Sequence, residues 1–220
     1  MNFAGWERVS LVDYPGKVAL TVFTSSCNFD CAYCQNKTLK RQVIEELSEE
    51  TVIDYLDRRR ALIDAIVITG GEPTLRVGEL IPFIGRLRER VPGKLVKLDT
   101  NGWNPALLAR LMECIDFVAM DLKSLDYSLF SDVSIETIKK SLDLVKAFRE
   151  HEIRITLYPP YIKREDFGEL AELCRGASRI AVQQYRRIDG NDQEPYKSGI
   201  LEEFSGVLSR ISGAQIVLRE

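Results

Sequence analysis

Three cysteines, Cys27, Cys31 and Cys34, stand within eight residues with the spacing Cys-x3-Cys-x2-Cys. A structural zinc site usually has four protein ligands arranged as two pairs, and no second pair follows this group. Three thiolates suit an iron–sulfur cluster in which one iron has no protein ligand, and an open coordination position is where a metal centre does chemistry. The spacing therefore predicts a catalytic iron–sulfur cluster, with a zinc knuckle completed by a distant ligand or by a partner's ligand as the alternative.

The remaining cysteines and the histidine are expected to have ordinary structural roles. Cys114 and Cys174 stand singly among apolar residues with helical spacing, which is typical of buried core thiols. His151, the one histidine, is expected at the surface, at the end of a polar helix. An odd number of cysteines, three of them in one loop, indicates metal binding or catalysis in a cytoplasmic protein, not a disulfide framework.

The elements that must position the cysteines show a strand-then-helix rhythm, because short apolar runs alternate with segments of helical periodicity. The predicted strands are Val18–Thr24, Ala65–Thr69, Leu95–Leu98, Phe117–Asp121, Ile153–Leu157 and Ile180–Gln184, with a further terminal strand at Gln215–Leu218. Such alternation is typical of parallel βα units. We therefore expect an α/β fold, built as an open sheet or as a partial (βα)6 TIM-like barrel.

Helix starts can be placed from capping residues. Ser48 before two glutamates predicts one helix N-terminus, and Asn104 before Pro105 predicts another. Pro82 is expected in the first turn of the helix between them, where a proline is tolerated.

Polar or glycine-rich segments follow or end all six strands. They are the cysteine loop, Gly70–Pro73, Asp99–Gly102, Asp121–Lys123, Tyr158–Tyr161 and Gln183–Arg186. Right-handed crossovers place every strand-to-helix loop at the same end of the sheet, which is where α/β enzymes collect their chemistry. This convergence predicts an active site at the carboxyl ends of the strands.

Length and charge exclude several classes of protein. A chain of 220 residues predicts one domain, and a net charge of −3 gives no basic footprint for a nucleic-acid partner. The apolar runs are far shorter than the ~18 residues that span a bilayer, and the N-terminal residues lack the pattern of a signal peptide. We expect a cytoplasmic protein with no membrane contact.

With Tyr33 in the aromatic position, the motif Cys-x3-Cys-x-aromatic-Cys followed by Gly70–Pro73 resembles the radical S-adenosylmethionine (SAM) superfamily. The segments Val12–Gly16, Asp99–Gly102 and Asp121–Lys123 are similar to those of the activating enzymes of glycyl-radical enzymes. The opening segment 5–17 is similar to that of the anaerobic ribonucleoside-triphosphate reductase activating proteins. The resemblance implies a single radical SAM domain over residues 1–220, with a core of about 10–186 and a C-terminal loop and helix at 187–220.

The resemblance also implies an activity. One 4Fe–4S cluster held by the three cysteines would cleave SAM reductively. The resulting 5′-deoxyadenosyl radical would abstract a glycine Cα hydrogen from a partner enzyme. The resemblance implies that this partner is an anaerobic ribonucleotide reductase. No further cysteine lies between Cys34 and Ser48, where related activases carry auxiliary clusters. An external donor such as flavodoxin or ferredoxin would therefore supply the electron.

The resemblance assigns SAM-binding roles to Tyr33, Gly70, Gly71, Glu72, Pro73, Asp99, Asn101 and Lys123. Tyr33 would lie against the adenine, and the two glycines would allow close backbone approach. Lys123 would neutralise the methionyl carboxylate. A monovalent cation would lie beside the cofactor on the oxygens of Asp99, Thr100 and Asp121. The alternative is a simple turn at residues 99–102 and a strand-end ion pair at 121–123.

Two residues and one loop are expected to face the partner. Asp13 would touch the substrate peptide, or else be a turn residue ahead of Pro15. Arg154 would reach the cofactor or the substrate segment, or else point into solvent. The long polar loop 185–199 would suit partner docking.

Three alternatives remain open. The chain would activate a different glycyl-radical enzyme, act on a small substrate, or be a non-catalytic iron–sulfur or zinc protein. An electron carrier needs four protein ligands for its cluster, and the three-cysteine loop argues against that function.

Overall fold

The structure is a computed structural model that describes residues 1–41, 47–197 and 199–219. The chain divides into two compact units. The first consists of residues 1–28, 36–100 and 106–118, and the second of residues 29–35, 101–105 and 119–220. The single domain 1–220 with its core of about 10–186 stays a prediction, and Ser198 and Glu220 of its C-terminal part lie outside the described residues.

The strands, numbered in chain order, are β1 (Asn2–Phe3), β2 (Gly5–Ser10), β3 (Ala19–Thr24), β4 (Leu47–Ser48), β5 (Ala65–Gly70), β6 (Leu95–Thr100), β7 (Phe117–Asp121), β8 (His151–Leu157), β9 (Arg179–Gln184) and β10 (Gln215–Arg219). The helices are α1 (Lys37–Arg41), α2 (Glu49–Arg58), α3 (Val77–Arg90), α4 (Pro105–Met112), α5 (Ile135–Ala147), α6 (Phe167–Leu173) and α7 (Ile200–Ser212).

The first unit contains the parallel ladder β3–β5–β6, to which β2 is added antiparallel along β3. The register pairs Ala19 with Ala65 at one end and Thr24 with Gly70 at the other. Strand β3 is almost entirely buried, as expected for a parallel strand covered on both faces. The last residues of β3 and β5 therefore end side by side, directly before the cysteine loop and the Gly70–Pro73 segment.

The second unit contains the parallel ladder β8–β9–β10, and the boundary between the two units falls within β7. Helices α6 and α7 cover apolar residues here, and the rings of Phe167 and Phe204 lie 4.4 Å apart. Among the helices of the described residues, none is both long and apolar enough to cross a membrane.

All predicted strands are present, with ends displaced by two residues or fewer. The displacement matters in β6, which continues to Thr100, so that Asp99 lies in the strand and not in the loop after it. Strands β1, β2 and β4 were not predicted. Residues 7–9 of β2 are exposed, so no apolar pattern marks that strand in the sequence.

The predicted helix starts at Glu49 and Pro105 are confirmed. The Ser48 hydroxyl accepts the Thr51 N–H at 3.2 Å, as a capping residue should. The prediction for Pro82 is wrong, because α3 begins at Val77 and Pro82 lies in its second turn. A short 3₁₀ turn at Pro73–Arg76 runs directly into α3 and starts the helix earlier than the apolar spacing indicated.

The surface position predicted for His151 is wrong, because its side chain is buried at the start of β8. Its ring lies 2.7 Å from the Phe148 carbonyl through Nδ1, and Nε2 accepts the Ser178 N–H at 2.9 Å. Helix α5 ends at Ala147, four residues earlier, so the chain has already turned into the sheet at this point.

The two single cysteines differ in their surroundings. Cys174 is fully buried, as predicted, and burial raises its pKa to about 12. Cys114 is only half-buried, and its thiol donates to the Leu111 carbonyl at 3.2 Å.

Glu152 provides a test of the ladder β8–β9–β10. It is fully buried, and its carboxylate contacts Arg179 of β9 at 2.8 Å and Arg219 of β10 at 3.0 Å. We expect Glu152→Gln to lower the free energy of unfolding by about 2 kcal/mol in urea titration. This is less than the ~3–5 kcal/mol of a fully buried pair, because both arginines reach solvent. The exposed Glu150→Gln is the control, and equal midpoints for the two variants would contradict this account.

Candidate active site

In the first unit, the glycine pair lets two chain segments lie directly against each other. The Gly71 N–H donates to the Thr24 carbonyl at 2.9 Å, and the Glu72 N–H donates to the Ser26 carbonyl at 2.8 Å. A Cβ on Gly71 would lie 1.7 Å from the Ser26 oxygen, and one on Gly70 would lie 2.5 Å from the Thr24 nitrogen. The glycines thus fix the segment that leads into Cys27, and their approach to a cofactor stays a prediction.

Glu72 is fully buried and is engaged by neighbouring hydroxyl groups. Its Oε1 accepts the Thr74 N–H at 3.1 Å, the Thr74 hydroxyl at 2.6 Å and the Thr100 hydroxyl at 2.7 Å. A buried carboxylate needs such donors. The described contacts of Glu72 therefore cap the Pro73–Arg76 turn and tie the end of β6 to the end of β5.

Asp99 forms a buried ion pair that the sequence reasoning missed. Its Oδ1 lies 2.6 Å from Nζ of Lys97, and both side chains are almost fully buried, at 8% and 2% exposed. The two residues share one face of β6, since alternate residues of a strand point the same way. A lysine inside an otherwise apolar strand, two residues before the predicted site aspartate, was the signal in the sequence.

Asp13 lies in the connection between β2 and β3. Its Oδ2 accepts the Thr21 hydroxyl at 2.6 Å, and its N–H donates to the Ser10 hydroxyl at 3.2 Å. These contacts are those of a turn residue, the alternative considered for Asp13. Contact with a substrate peptide stays a prediction. Next to Asp13, Leu11 and Val12 are exposed by 73% and 75%.

In the second unit, the turn from Cys31 to Cys34 is held on both sides. The Cys34 N–H donates to the Cys31 carbonyl at 3.1 Å, which closes the turn. The Ala32 N–H donates to the Tyr161 hydroxyl at 2.8 Å, and the Ala32 carbonyl accepts the Asn191 amide at 3.1 Å. Tyr161 follows β8 and Asn191 belongs to the loop after β9, so two distant segments fix the turn.

Tyr33 lies in a group of aromatic rings. Its ring centroid is 5.1 Å from that of Tyr158 and 5.5 Å from that of Tyr161, and Nζ of Lys123 lies 5.7 Å from its centre. Burial raises the pKa of Tyr33 far above its ordinary value, so the hydroxyl stays neutral. The stacking of Tyr33 on an adenine stays a prediction.

Asp121 at the end of β7 accepts from two cations. Its Oδ2 lies 3.0 Å from Nζ of Lys123 and its Oδ1 lies 2.7 Å from Nε of Arg154. Burial opposes ionisation, yet Arg154 and then Lys123 hold the pKa of Asp121 well below its ordinary value. Burial alone would lower the pKa of Lys123, but Asp121, followed by Tyr33 and Cys31, raises it well above the ordinary value.

This triad of charges bears on two predictions. Arg154 does not point freely into solvent, since its side chain is 19% exposed and bonded to Asp121. The strand-end ion pair, which was the alternative for residues 121–123, is present. A contact of Lys123 or Arg154 with the cofactor or substrate stays a prediction.

Asn101 and Gly102 form the tight turn that was the alternative for this segment. Asn101 Oδ1 accepts the Trp103 N–H at 3.0 Å, and the Ser141 hydroxyl donates to the Gly102 carbonyl at 2.6 Å. Gly102 has φ of +74°, and a Cβ there would lie 2.1 Å from Cε of Met120. Glycine is therefore required at this position, and cofactor binding by Asn101 stays a prediction.

The donor chemistry of the cysteine loop suits a cluster. Cys27, Cys31 and Cys34 form no disulfide, with Cys31 buried and the other two half-buried. Among the described residues, no three or more His, Cys, Asp and Glu side chains form a group that could hold a single metal ion.

The lowered pKa of Asp121 gives a pH-dependent prediction. A carboxylate with a depressed pKa stabilises the fold at pH values above its unfolded pKa of about 4 and loses that effect as the pH falls through its folded pKa. We expect Asp121→Asn to lower the free energy of unfolding by about 2 kcal/mol between pH 5 and 8, a difference that shrinks below about pH 4. Denaturant titrations at several pH values measure it, with the exposed Asp132→Asn as control. A difference that grows on acidification would refute the assignment.

Comparison with known proteins places the chain in a family. Residues 21–175 match the family model of the radical SAM superfamily. A protein of Methanocaldococcus jannaschii provisionally named a glycyl-radical enzyme activating enzyme is 32% identical over 202 residues, covering 87% of this chain and 82% of that protein.

Two further relatives carry more specific names. The anaerobic ribonucleoside-triphosphate reductase-activating protein of Escherichia coli K12 is 28% identical over 124 residues, covering 54% of this chain and 80% of that protein. The pyruvate formate-lyase-activating enzyme of Listeria monocytogenes is 28% identical over 183 residues, covering 76% of this chain and 72% of that enzyme.

Solved structures show the fold. A radical SAM methyltransferase from Sphaerobacter thermophilus has a TM-score of 0.73 at 17% identity, covering 94% of this chain and 67% of that one. SuiB of Streptococcus suis has a TM-score of 0.68 at 17% identity, and the 89% of this chain that matches spans 47% of SuiB. These similarities confirm the predicted α/β fold with mostly parallel strands, and they agree with a partial (βα)6 barrel.

The matched family model spans most of the chain, and a relative named for glycyl-radical activation aligns along nearly all of it. The chain is therefore an enzyme of the radical SAM superfamily, among the activating enzymes of glycyl-radical enzymes, and its cofactors are a 4Fe–4S cluster and S-adenosylmethionine.

Proposed function

We propose that this activase acts on an anaerobic ribonucleoside-triphosphate reductase and abstracts a hydrogen atom from a glycine Cα of that partner. The observation that carries the proposal is the opening segment 5–17, which has the pattern of this branch of activases. The similarity to the E. coli activating protein supports the same branch.

Pyruvate formate-lyase is the second candidate partner. The Listeria activase named for that enzyme aligns with 76% of this chain, more than the 54% covered by the E. coli reductase activase. Both candidates require the same chemistry at a glycine Cα and differ only in the protein surface that must be recognised.

In this proposal, Cys27, Cys31 and Cys34 would hold three irons of the cluster and would leave the fourth iron open to SAM. The contacts of the cysteine loop fit that role, because a cluster needs its thiolates held at fixed positions. Backbone bonds from Gly71 and Glu72 fix the chain before Cys27, and bonds to Ala32 fix the turn that carries the other two thiols.

A bound cluster would supply the one electron that splits SAM into methionine and a 5′-deoxyadenosyl radical, and that radical would take the hydrogen atom from the substrate glycine. The described side chains would set the charge around the methionyl group. Lys123 keeps its positive charge, since its pKa is raised, and can face a carboxylate. Tyr33 stays neutral and offers a flat apolar ring to the adenine. The remaining proposed SAM contacts are Gly70, Gly71, Glu72, Pro73, Asp99 and Asn101.

Two surfaces would meet partners. Asp13 stands beside the exposed Leu11 and Val12, which supports contact with a substrate protein. The loop 185–199 is linked to the cysteine turn through Asn191, which supports docking close to the cluster. Ser198 of this loop lies outside the described residues. A separate electron donor, such as flavodoxin or ferredoxin, and a cytoplasmic location remain part of the proposal.

Gly71→Ala tests how the glycine pair positions the cluster loop. The added Cβ would collide with the Ser26 oxygen, so the chain before Cys27 must shift. We expect cluster content after anaerobic reconstitution to fall by about half or more, since a misplaced thiolate binds iron weakly. Gly78→Ala is the matched control, because nothing lies within 4 Å of a Cβ there and alanine favours helix α3. Equal iron content in both variants would show that Gly71 does not position the loop.

Cys31→Ala tests the cluster ligands. The reconstituted wild-type protein should bind about four irons and, with dithionite, release methionine and 5′-deoxyadenosine from SAM. Cys31→Ala should lose both properties, whereas Cys114→Ala, which alters a half-buried thiol two residues after α4, should keep them. A colourless wild-type protein with one tightly bound zinc would refute the assignment.

The partner is identified by electron paramagnetic resonance. Reconstituted protein, SAM and reductant are mixed separately with an anaerobic ribonucleotide reductase and with a pyruvate formate-lyase from the same source. A glycyl-radical doublet on the reductase alone supports the proposal, and one on the lyase alone supports the second candidate. Robust SAM cleavage without a radical on either would point to a different substrate.

A further inference from the structure

The structure bears on whether this enzyme uses a monovalent cation. The expected ligands were Asp99, Thr100 and Asp121, whose oxygens would hold such an ion beside SAM. An inorganic cation is retained at carboxylates when their negative charge is not otherwise compensated. The described contacts of these carboxylates therefore decide whether the residues fit the ion.

Asp99 already faces a positive charge. Nζ of Lys97 lies 2.6 Å from Asp99 Oδ1, and both side chains are almost completely buried. The ammonium group has the charge and about the ionic size of potassium, and it is tethered to the same strand. A buried charge is tolerated when it is paired and hydrogen-bonded, and each member of this pair meets that need for the other.

The surroundings of Lys97 add to the argument. Its Nζ lies 5.7 Å from the centre of the Phe117 ring, so the ring face also stabilises the cation. The alternating geometry of β6 aims Lys97 and Asp99 to one side of the strand. The ammonium is therefore built into the fold and cannot exchange with ions in solution.

The negative charge of Asp121 is also compensated, by two cations of the second unit. Lys123 and Arg154 each approach one of its two oxygens, at 3.0 and 2.7 Å. Thr100 would contribute a hydroxyl oxygen, which is neutral, and that hydroxyl donates to Glu72 at 2.7 Å. The three expected ligands thus do not fit a monovalent metal ion, since both carboxylates have side-chain cations as partners.

We propose that Lys97 takes the place of the monovalent cation in this enzyme and that binding of SAM needs no added sodium or potassium. Lys97 is then a positioning residue, which acts through Asp99. The inference rests on the proposed function, in which Asp99 belongs to the SAM site.

The first experiment uses the reconstituted wild-type protein. The dissociation constant of SAM is measured by equilibrium dialysis in potassium chloride, sodium chloride and tetramethylammonium chloride at equal ionic strength. We expect the three values to agree within about twofold. Binding weaker by about tenfold or more in tetramethylammonium, restored by a saturating dose of potassium or sodium, would overturn the proposal.

The second experiment removes the tethered charge. Lys97→Met removes the positive charge that faces Asp99, so we expect the melting temperature of this variant to be lower in tetramethylammonium and to rise with potassium along a saturating curve. The double variant Lys97→Met/Asp99→Asn lacks the carboxylate and should show no such response. Lys139→Met, which removes an exposed cation of α5, controls for net charge and should behave as wild type.

The outcomes separate this inference from the proposed function. If the melting temperature of Lys97→Met is the same in all three salts, the proposed role of Lys97 is overturned. If that variant does not fold, the wild type and the double variant are compared in the same salts, and a saturating rise of either melting temperature with potassium would overturn it instead. Dialysis measures the binding of SAM and not turnover. A wild-type protein that binds SAM but activates no partner would therefore refute the proposed function, while the measured effect of the cations on SAM binding would still stand.

Discussion

The backbone contact between the glycine pair and the end of β3 is the constraint on which the site depends. Two consecutive N–H groups, of Gly71 and Glu72, donate to carbonyls on the segment before Cys27. Such bonds extend the pairing of β3 and β5 beyond the strands themselves, and they are possible because neither glycine has a Cβ to separate the chains. The first cysteine is therefore positioned by the sheet and not by a free loop.

The acidic side chains at the strand ends are each hydrogen-bonded or ion-paired with residues close to them. Glu72 is buried among hydroxyl and N–H donors, Asp99 is paired with Lys97, and Asp121 is paired with two cations. Each of these groups would be costly alone in a poorly hydrated interior. Paired in this way, they give each unit fixed charges before any cofactor binds.

The comparisons and the structure support different levels of the functional conclusion. Similarity to solved structures at 17% identity shows the fold, which many radical enzymes with different substrates share. The family match and the relative from M. jannaschii show the activase family. Both named relatives act on glycyl-radical enzymes, so neither the fold nor the family match distinguishes between the two candidate partners.

The sequence by itself determined the family and the strands of the two parallel ladders, because both follow from local patterns, and it predicts the cysteine ligand set in the same way. Thiol spacing, apolar runs of strand length and the Gly-Gly-Glu-Pro segment can all be recognised within a few residues. Only the tertiary structure decided what the charged side chains face. The burial of His151, the pairing of Arg154 with Asp121 and the neutralisation of Asp99 by Lys97 depend on which strand face is buried and on which strands end together. A charged residue inside a strand is ambiguous until its partner is known, since the same lysine or arginine can face solvent or a buried carboxylate.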